Sequence, residues 1–465
     1  MTTPVSAPPA DPAAPPAPVR PAPLARLPHG LAAFRHRDYR IFWFTQLVSL
    51  TGTWMQSLAQ SWLVLTITDS PFQLGLINVC QFGPTLFLGL VGGVVADRVP
   101  KRRLLLTTQS AAGALTAVLA LLVATGQVQL WHIYATALGL GLVNAFDMPT
   151  RQAFVAEIVG KDDLMNAVAL NSALFNTTRV LGPAIAGLLL ARFGATVCFV
   201  LNAVSYAPVV VGLALMATRG TPAAGSGDGS PLTRLREGLA YARATPAVFL
   251  PLVLVGFVAT FGMNFNVWVP LLARNAFDIG AGGFGLLLSS LGVGSLAGAL
   301  TLAFKGRQPR RRLMLGAALA FGVLEGLLAL AAAVPLPVAV AMLLIAGAGF
   351  ATSTAMAIAN TTVQTATPDA LRGRVMSIYM TVFAGTTPIG ALVAGVTSGA
   401  LGAPASVALG GLVVLLAAAA VGLKGRSLPG RRGQPTPQVP SLVRSVAARD
   451  PDAPAVVGAP SRGDR

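Results

Sequence analysis

Three ionisable residues stand inside long apolar runs of this chain: Asp147, Arg179 and Glu325. A charge at that depth in hydrocarbon costs about 2.5–3.5 kcal/mol or more, so such a residue must face protein or a water-filled space and is a candidate for ion or proton handling. Ser172, Asn176, Arg179 and Pro183 fall on one stripe of a helix by their spacing of three or four residues. That stripe offers either an anion or proton-linked group beside a pathway, or a structural Arg bonded to helix carbonyls. Asp147 abuts Pro149 and Arg151, and it reads as a proton carrier, an ion-pair partner or a helix cap. Glu325 reads as a second proton carrier or as a structural hydrogen bond.

Neutral polar residues are patterned too. Gln46, Ser49, Thr53, Gln56 and Gln60 follow a three-four-three-four rhythm through the first apolar run, the mark of a polar stripe on an otherwise apolar helix. Asn144, Asn264 and Asn266 stand alone in later runs. Interhelical hydrogen bonding and solute contact are both open to them. Trp54, Trp62 and Trp268 are placed for stacking on an aromatic molecule or for packing at interfaces.

The elements that carry these residues must be membrane spans. Hydrophobic residues make up 54% and charged residues 11% of 465 positions, too little polar surface for a water-soluble globule. Runs near the 20 residues that cross a hydrocarbon core are predicted at 40–66, 74–95, 104–125, 130–148, 165–190, 195–217, 246–272, 281–304, 313–333, 336–357, 374–399 and 404–424. The net charge of +17 raises nucleic acid as a partner, and its distribution argues against one. Apart from Arg179 within a span and Arg192 and Arg274 in the opposite loops, the Lys and Arg residues lie on the side of the tails and even-numbered loops. That bias places both termini in the cytoplasm of a multi-pass cell-membrane protein. Cys80 and Cys198 fall in different spans and read as packing residues. No phosphate-cradling GxxxxGK[ST], HExxH or GxSxG occurs, so an ATP-driven pump or an enzyme is not expected. No cofactor or metal is expected either.

The chain is doubled. At one offset Gly83 matches Gly292, Gly89 matches Gly298, Arg98 matches Arg307, Pro100 matches Pro309, and Arg102 and Arg103 match Arg311 and Arg312. The expected organisation is a Pro/Ala-rich tail (1–30), a six-helix half (31–217), a linker (218–245) with a short amphipathic stretch from Leu232 to Arg243, a second six-helix half (246–424) and a second disordered tail (425–465). Such a repeat, with its axis along the membrane normal, suits two halves that rock about a midplane site.

The stretch GVVADRVPKRR, Gly93 to Arg103, resembles the cytoplasmic signature of the major facilitator superfamily, with Pro100 where Gly is usual. The wider text, from Phe34 through DMPTRQAFVAEIVGKDDLMNAVALNS to RVLGPAIAG at Arg179, resembles the branch of that family containing siderophore and drug exporters. The resemblance covers nearly all of residues 30–424. It implies an all-α fold of twelve transmembrane helices in two pseudo-symmetric halves, and proton-coupled efflux of a small amphipathic molecule by a monomer. An importer or facilitator of a polar solute, and a nontransporting membrane sensor, are the alternatives. It also implies that spans one, four, seven and ten line a central cavity, placing Gln46, Thr53, Gln56, Gln60, Asn144, Asn264 and Asn266 toward substrate. Arg179, Gly182, Pro183 and Gly187 partly match the antiporter motif of the fifth span, with Ala186 in place of a Gly. A Pro kink beside Gly suits a moving helix interface as well as plain packing.

The same resemblance implies a gate built from Gly93, Asp97, Arg98, Lys101, Arg102 and Arg103, with Asp97 set against the start of the eleventh span near Arg372 and Arg374. A carboxylate at a helix N-terminus gains about 0.3–1 kcal/mol from the helix dipole. Gly306 stands at the position matching Asp97, so the gate is expected to be asymmetric. Asp97→Asn is expected to slow transport while the protein still inserts. Normal transport by a well-expressed variant in a vesicle uptake assay would overturn that gate.

Overall fold

The computed structural model describes residues 29–221, 231–305, 310–334 and 336–424. The expected tails, apart from His29 and Gly30, the linker stretch 222–230, and positions 306–309, which hold the matches to Asp97, Arg98 and Pro100, lie outside the described residues. A short 3-10 helix, His29–Arg35, leads into α1 (Arg37–Thr68), α2 (Pro71–Arg98), α3 (Lys101–Ala124), α4 (Leu130–Phe193) and α5 (Ala195–Leu215). After them come α6 (Pro231–Ala244), α7 (Pro246–Phe257), α8 (Phe265–Leu271), α9 (Gly280–Lys305) and α10 (Arg311–Ala333). The last are α11 (Val338–Ala366), α12 (Asp369–Gly385), α13 (Thr387–Leu401) and α14 (Ala403–Lys424). Each expected span falls on one of these helices or on a broken series of them; α7 and α8, for example, are joined by the π turn Val258–Gly262. The expected amphipathic stretch at 232–243 is α6.

Helix is what apolar surroundings demand, because it pairs backbone N–H and C=O groups within the segment. Ser and Thr hydroxyls are absorbed the same way: Thr45, Thr53, Ser61, Thr260 and Thr352 each donate to a carbonyl one turn back. Among the described residues nine helical stretches are long and apolar enough to cross a membrane, or ten if α2, bent by 62° between Gly89 and Val91, counts as one crossing. The count falls below twelve for two physical reasons. Two expected crossings share the 64-residue α4, broken only where Gly160 takes φ 70°. The first crossing, α1, is diluted by Gln46, Gln56, Gln60 and its hydroxyl residues.

The repeat returns in the backbone. Asp69 and Asp278, related by the same offset as Gly83 and Gly292, both adopt the left-handed conformation, at φ 49° and 50°. Gly194 and Gly402, each at the end of one helix and the start of the next, sit at φ 79° and 84°. Helix α2 lies against α4 and α9 against α11. A Cβ on Gly92 would strike the Ala145 carbonyl, and one on Gly294 the Ala346 carbonyl. Residues through Gly422 form one packed unit; of the second unit, only Leu423 and Lys424 are described.

Two seams join the first five helices to the later ones, and glycine sets the closeness of both. In the α4–α9 seam a Cβ on Gly187 would come 2.8 Å from the Cα of Gly285, and one on Gly285 would come 2.6 Å from the Pro183 carbonyl oxygen. In the α2–α13 seam a Cβ on Gly75 would lie 2.6 Å from the Ala391 oxygen, and one on Gly395 would lie 2.8 Å from the Pro71 oxygen. These contacts cluster near Asp69, Gly194, Gly280 and Gly402, at the end of the bundle away from Arg98. Gly285→Val forces backbone apart at the tightest point of the α4–α9 seam. Overpacking of this kind costs about 1–3 kcal/mol, so the variant is expected to melt several degrees lower in detergent, read by thermal loss of the monodisperse elution peak.

Candidate functional site

Asp147 is 2% exposed and fully occupied. One carboxylate oxygen accepts from Thr108 Oγ1 and Gln109 Nε2, each at 2.8 Å. The other accepts from Arg151 Nε at 3.0 Å and from its Nη2. Arg151 also donates to Gln46 Oε1 of α1. The i,i+4 ion pair on α4 therefore ties α1, α3 and α4 together. Arg151 is the ion-pair partner that its four-residue spacing from Asp147 offered; Thr108 and Gln109, on another helix, escaped the sequence reading.

Glu325 is also enclosed, at 0% exposure, between α10 and α14, where a Cβ on Gly411 would come 3.0 Å from the Glu325 Cβ. Neither of its oxygens has a hydrogen-bond partner among the described residues. It lies on a helix pair away from Asp147, so the two acids do not share a site.

The polar stripe of α1 is largely spent on neighbouring helices. Gln46 meets Arg151, and Gln56 accepts from Asn202 Nδ2 of α5 at 2.6 Å. Thr53 bonds its own helix, and Gln60 is buried. Asn264 Nδ2 donates 2.8 Å to the Thr260 carbonyl and bridges the break between the π turn and α8, with Asn266 half-buried beyond it. Asn144 is different. It is exposed on a face between Gly141, which packs on α2, and Asp147, which bonds α3, and opposite Leu142. The bundle interior is therefore where it points.

The tryptophans are packing residues: Trp54 lies on Gly182 and Phe175, Trp62 stacks on Phe284 at 6.0 Å, and buried Trp268 donates 2.9 Å to Ser406. Of the fifth-span motif, Gly182 accommodates Trp54 of α1, while Pro183 and Gly187 sit in the α4–α9 seam. A pocket of about 340 Å³ opens among Leu239, Phe249, Leu252, Phe257 and Val382, an almost wholly apolar lining on α6, α7 and α12.

Asp97 makes no bond to Arg372 or Arg374 at the start of the eleventh span, although α2 and α12 touch. Arg374 pairs with Glu237 of α6 at 2.5 Å, and Arg372 with Asp369 at 2.5 Å. Both cations are taken by nearer carboxylates, and half-exposed Asp97 has no hydrogen bond or ion pair among the described residues. The basic cluster beside it serves the chain that follows α5. Lys101, 3% exposed, reaches Glu157 at 2.6 Å and the Thr221 carbonyl at 2.7 Å; Arg102 donates to the Ala214 carbonyl. Asp38 accepts from Thr218 N and Oγ1 at 2.8 and 2.7 Å. Gly93, Arg98 and Arg103 remain outside this network: Arg98 and Arg103 are exposed, and a Cβ at Gly93 would meet nothing.

The opposite end is linked across the molecule. Arg274 donates 2.6 Å to the Leu65 carbonyl and pairs with Asp69 at 3.3 Å, and Ser289 Oγ donates 3.1 Å to the Val180 carbonyl. Arg274 adds a second donor to a carbonyl that already accepts from Asp69 N at 2.9 Å, at the C-terminus of α1, a site that favours cations.

Comparison with known proteins places this geometry. A family model described as transmembrane secretion effector matches residues 29–435. The staphyloferrin A transporter of Staphylococcus aureus is 32% identical over 170 residues, which are 36% of this chain and only 42% of that protein. The enterobactin exporter of Shigella boydii is 27% identical over 350 residues, 74% of this chain and 81% of that protein. Among solved structures, a bacterial homologue of the human lysosomal transporter Spinster, inward-facing and unoccupied, superposes with TM-score 0.66 at 13% identity, over 88% of this chain and 99% of its own. A POT family transporter bound to a thioalcohol-conjugated peptide gives 0.68 at 12%, over 85% and 97%. At such identities the structural likeness establishes the fold alone.

The Asp147 network yields a stability test. Removing one partner of a buried pair typically costs about 3–5 kcal/mol, whereas replacing both by apolar residues is often near neutral. Asp147→Leu alone is expected to melt well below the parent in detergent, and Asp147→Leu with Arg151→Met to recover part of the loss.

Proposed function

The chain belongs to the transmembrane secretion effector family within the major facilitator superfamily, and from that premise we propose that it exports small amphipathic or siderophore-like molecules in exchange for protons. As a member it is a multi-pass membrane transporter acting on small molecules, not an enzyme. The finer reading has a monomer in the cell membrane with both termini cytoplasmic, working by alternating access. One observation carries it: the close contacts between the early and late helices gather at the Asp69 end, at Gly187–Gly285, Gly75–Gly395 and Arg274–Leu65, while Asp97 at the other end has no partner among the described residues. Such a molecule is sealed at one end and unlatched at the other. Export by a relative that carries enterobactin, aligned over 74% of this chain, supports the direction.

Asp147 is the coupling residue in this reading. Its carboxylate holds Arg151, and Arg151 holds Gln46, so a proton on Asp147 dissolves the ion pair and frees α4 from α1. Protonation from the outer side while the cargo leaves, and release to the cytoplasm after the molecule turns inward, would drive the cycle. Glu325 is the second candidate, and the seam between α10 and α14 gives it no bonded route to α4.

Inverted vesicles carrying an internal pH dye test the reading. Adding catecholate or citrate-type siderophores is expected to evoke proton release from the vesicles, with the response lost in Asp147→Asn. Cargo uptake into the vesicles without proton movement would remove coupling; absence of uptake for siderophores, dyes and antibiotics alike would remove export.

A further inference from the structure

Arg179 has no described partner. It is half-buried in the second arm of α4, and among the described residues no hydrogen bond or ion pair involves its guanidinium. Its direction follows from its neighbours on a helix of about 3.6 residues per turn. To one side lie Gly182 and Phe175, which pack on Trp54 of α1. To the other lie Val180 and Gly187, which pack on Gly292 and Gly285 of α9. On the opposite face are Leu181 and Leu188, 45% and 68% exposed. Arg179 therefore points between α1 and α9 into the bundle interior, with Asn176 and Ser172 one and two turns before it on the same face. Its exposed part is on the side turned away from Leu181 and Leu188.

A cation held there needs an anion, and the described residues supply none. The acids at membrane depth are Asp147, whose oxygens are filled by Thr108, Gln109 and Arg151, and Glu325, walled between α10 and α14. Guanidinium presents a planar fork of donors that matches two oxygens of a carboxylate or of a catecholate. The Ser172 hydroxyl and the Asn176 side-chain nitrogen already donate to helix carbonyls, so the guanidinium is the strongest free donor on this face.

We propose that Arg179 is the cargo-binding cation of this transporter and that its cargo carries a bidentate oxyanion, a carboxylate or catecholate, which takes the counter-ion's place. This rests on the export reading and narrows its substrate class. The acid-paired state of the empty carrier is missing by design: cargo entry neutralises Arg179, and cargo departure leaves it charged again.

The test uses purified full-length protein in detergent with citrate and 2,3-dihydroxybenzoate as anionic probes and ethidium as a cationic one. Tight binding of either anion is expected to weaken at least tenfold in Arg179→Gln and less in Arg179→Lys, which keeps charge but loses the fork, with ethidium binding not weakened. On the unmodified protein, either anion is expected to protect Arg179 from phenylglyoxal, followed by peptide mass spectrometry, which needs no variant to fold. Equal anion affinity in Arg179→Gln, no anion binding by the parent, or protection by chloride alone at the same concentration would each overturn the assignment. Anion binding at Arg179 without uptake into inverted vesicles would leave the assignment standing and defeat export; proton-coupled uptake of ethidium unaffected by Arg179→Gln would do the reverse.

Discussion

A chain immersed in hydrocarbon must satisfy its polar groups from within itself, and the rest of this structure follows from that constraint. Long apolar runs become helices because no other open arrangement pairs their backbone. Thr and Ser turn their hydroxyls onto their own helix, Gln56 finds Asn202, and Trp268 finds Ser406. The costliest groups are placed most carefully: Asp147 and Arg151 are closed into a network that spans three helices. Against that background the ionisable groups at membrane depth without a bond among the described residues, Arg179 and Glu325, are the informative ones. One faces between α1 and α9; the other is enclosed between α10 and α14.

Without a hydrophobic drive between helices in lipid, close packing decides where they meet, and small residues allow the backbones to approach. Glycine does this at both seams between early and late helices, and it does so near the Asp69 end. Arg274 adds a polar bond at the same end by capping α1. The closest approaches are backbone to backbone, and they lie within two extensive helix–helix seams. At the Arg98 end the basic residues hold down the chain leaving α5 instead of bridging to α12, which leaves Asp97 available for another arrangement.

The doubling is deeper than the basic connectors from which it was read. Asp69 and Asp278 take the same left-handed conformation, one of the few non-glycine residue types that tolerates it, and Gly194 and Gly402 turn alike. Equivalent positions nevertheless carry different chemistry. Arg274 answers Asp69, and Asp278 has no matching bond among the described residues. A repeat fixes the scaffold, and the departures from it mark where the two halves have different work.

Composition, run length and charge bias determined the class of molecule: residues such as those at 195–217 or 404–424 have no stable home but a helix in lipid, whatever surrounds them. The stripe Ser172, Asn176, Arg179 and Pro183 was legible because helical periodicity is local, and so was the place of α6. Partners were not. Gln46 and Gln56 had the spacing of cavity residues, yet Arg151 and Asn202 hold them, and Arg374 answers Glu237 across 137 positions instead of Asp97. A side chain's hydrogen-bond capacity is written in its type, but which neighbour meets it depends on how helices far apart in sequence rotate and approach. Only the tertiary structure decides that, because the approach is set by glycines such as Gly187 and Gly285 acting together, and neither one alone says where the other lies.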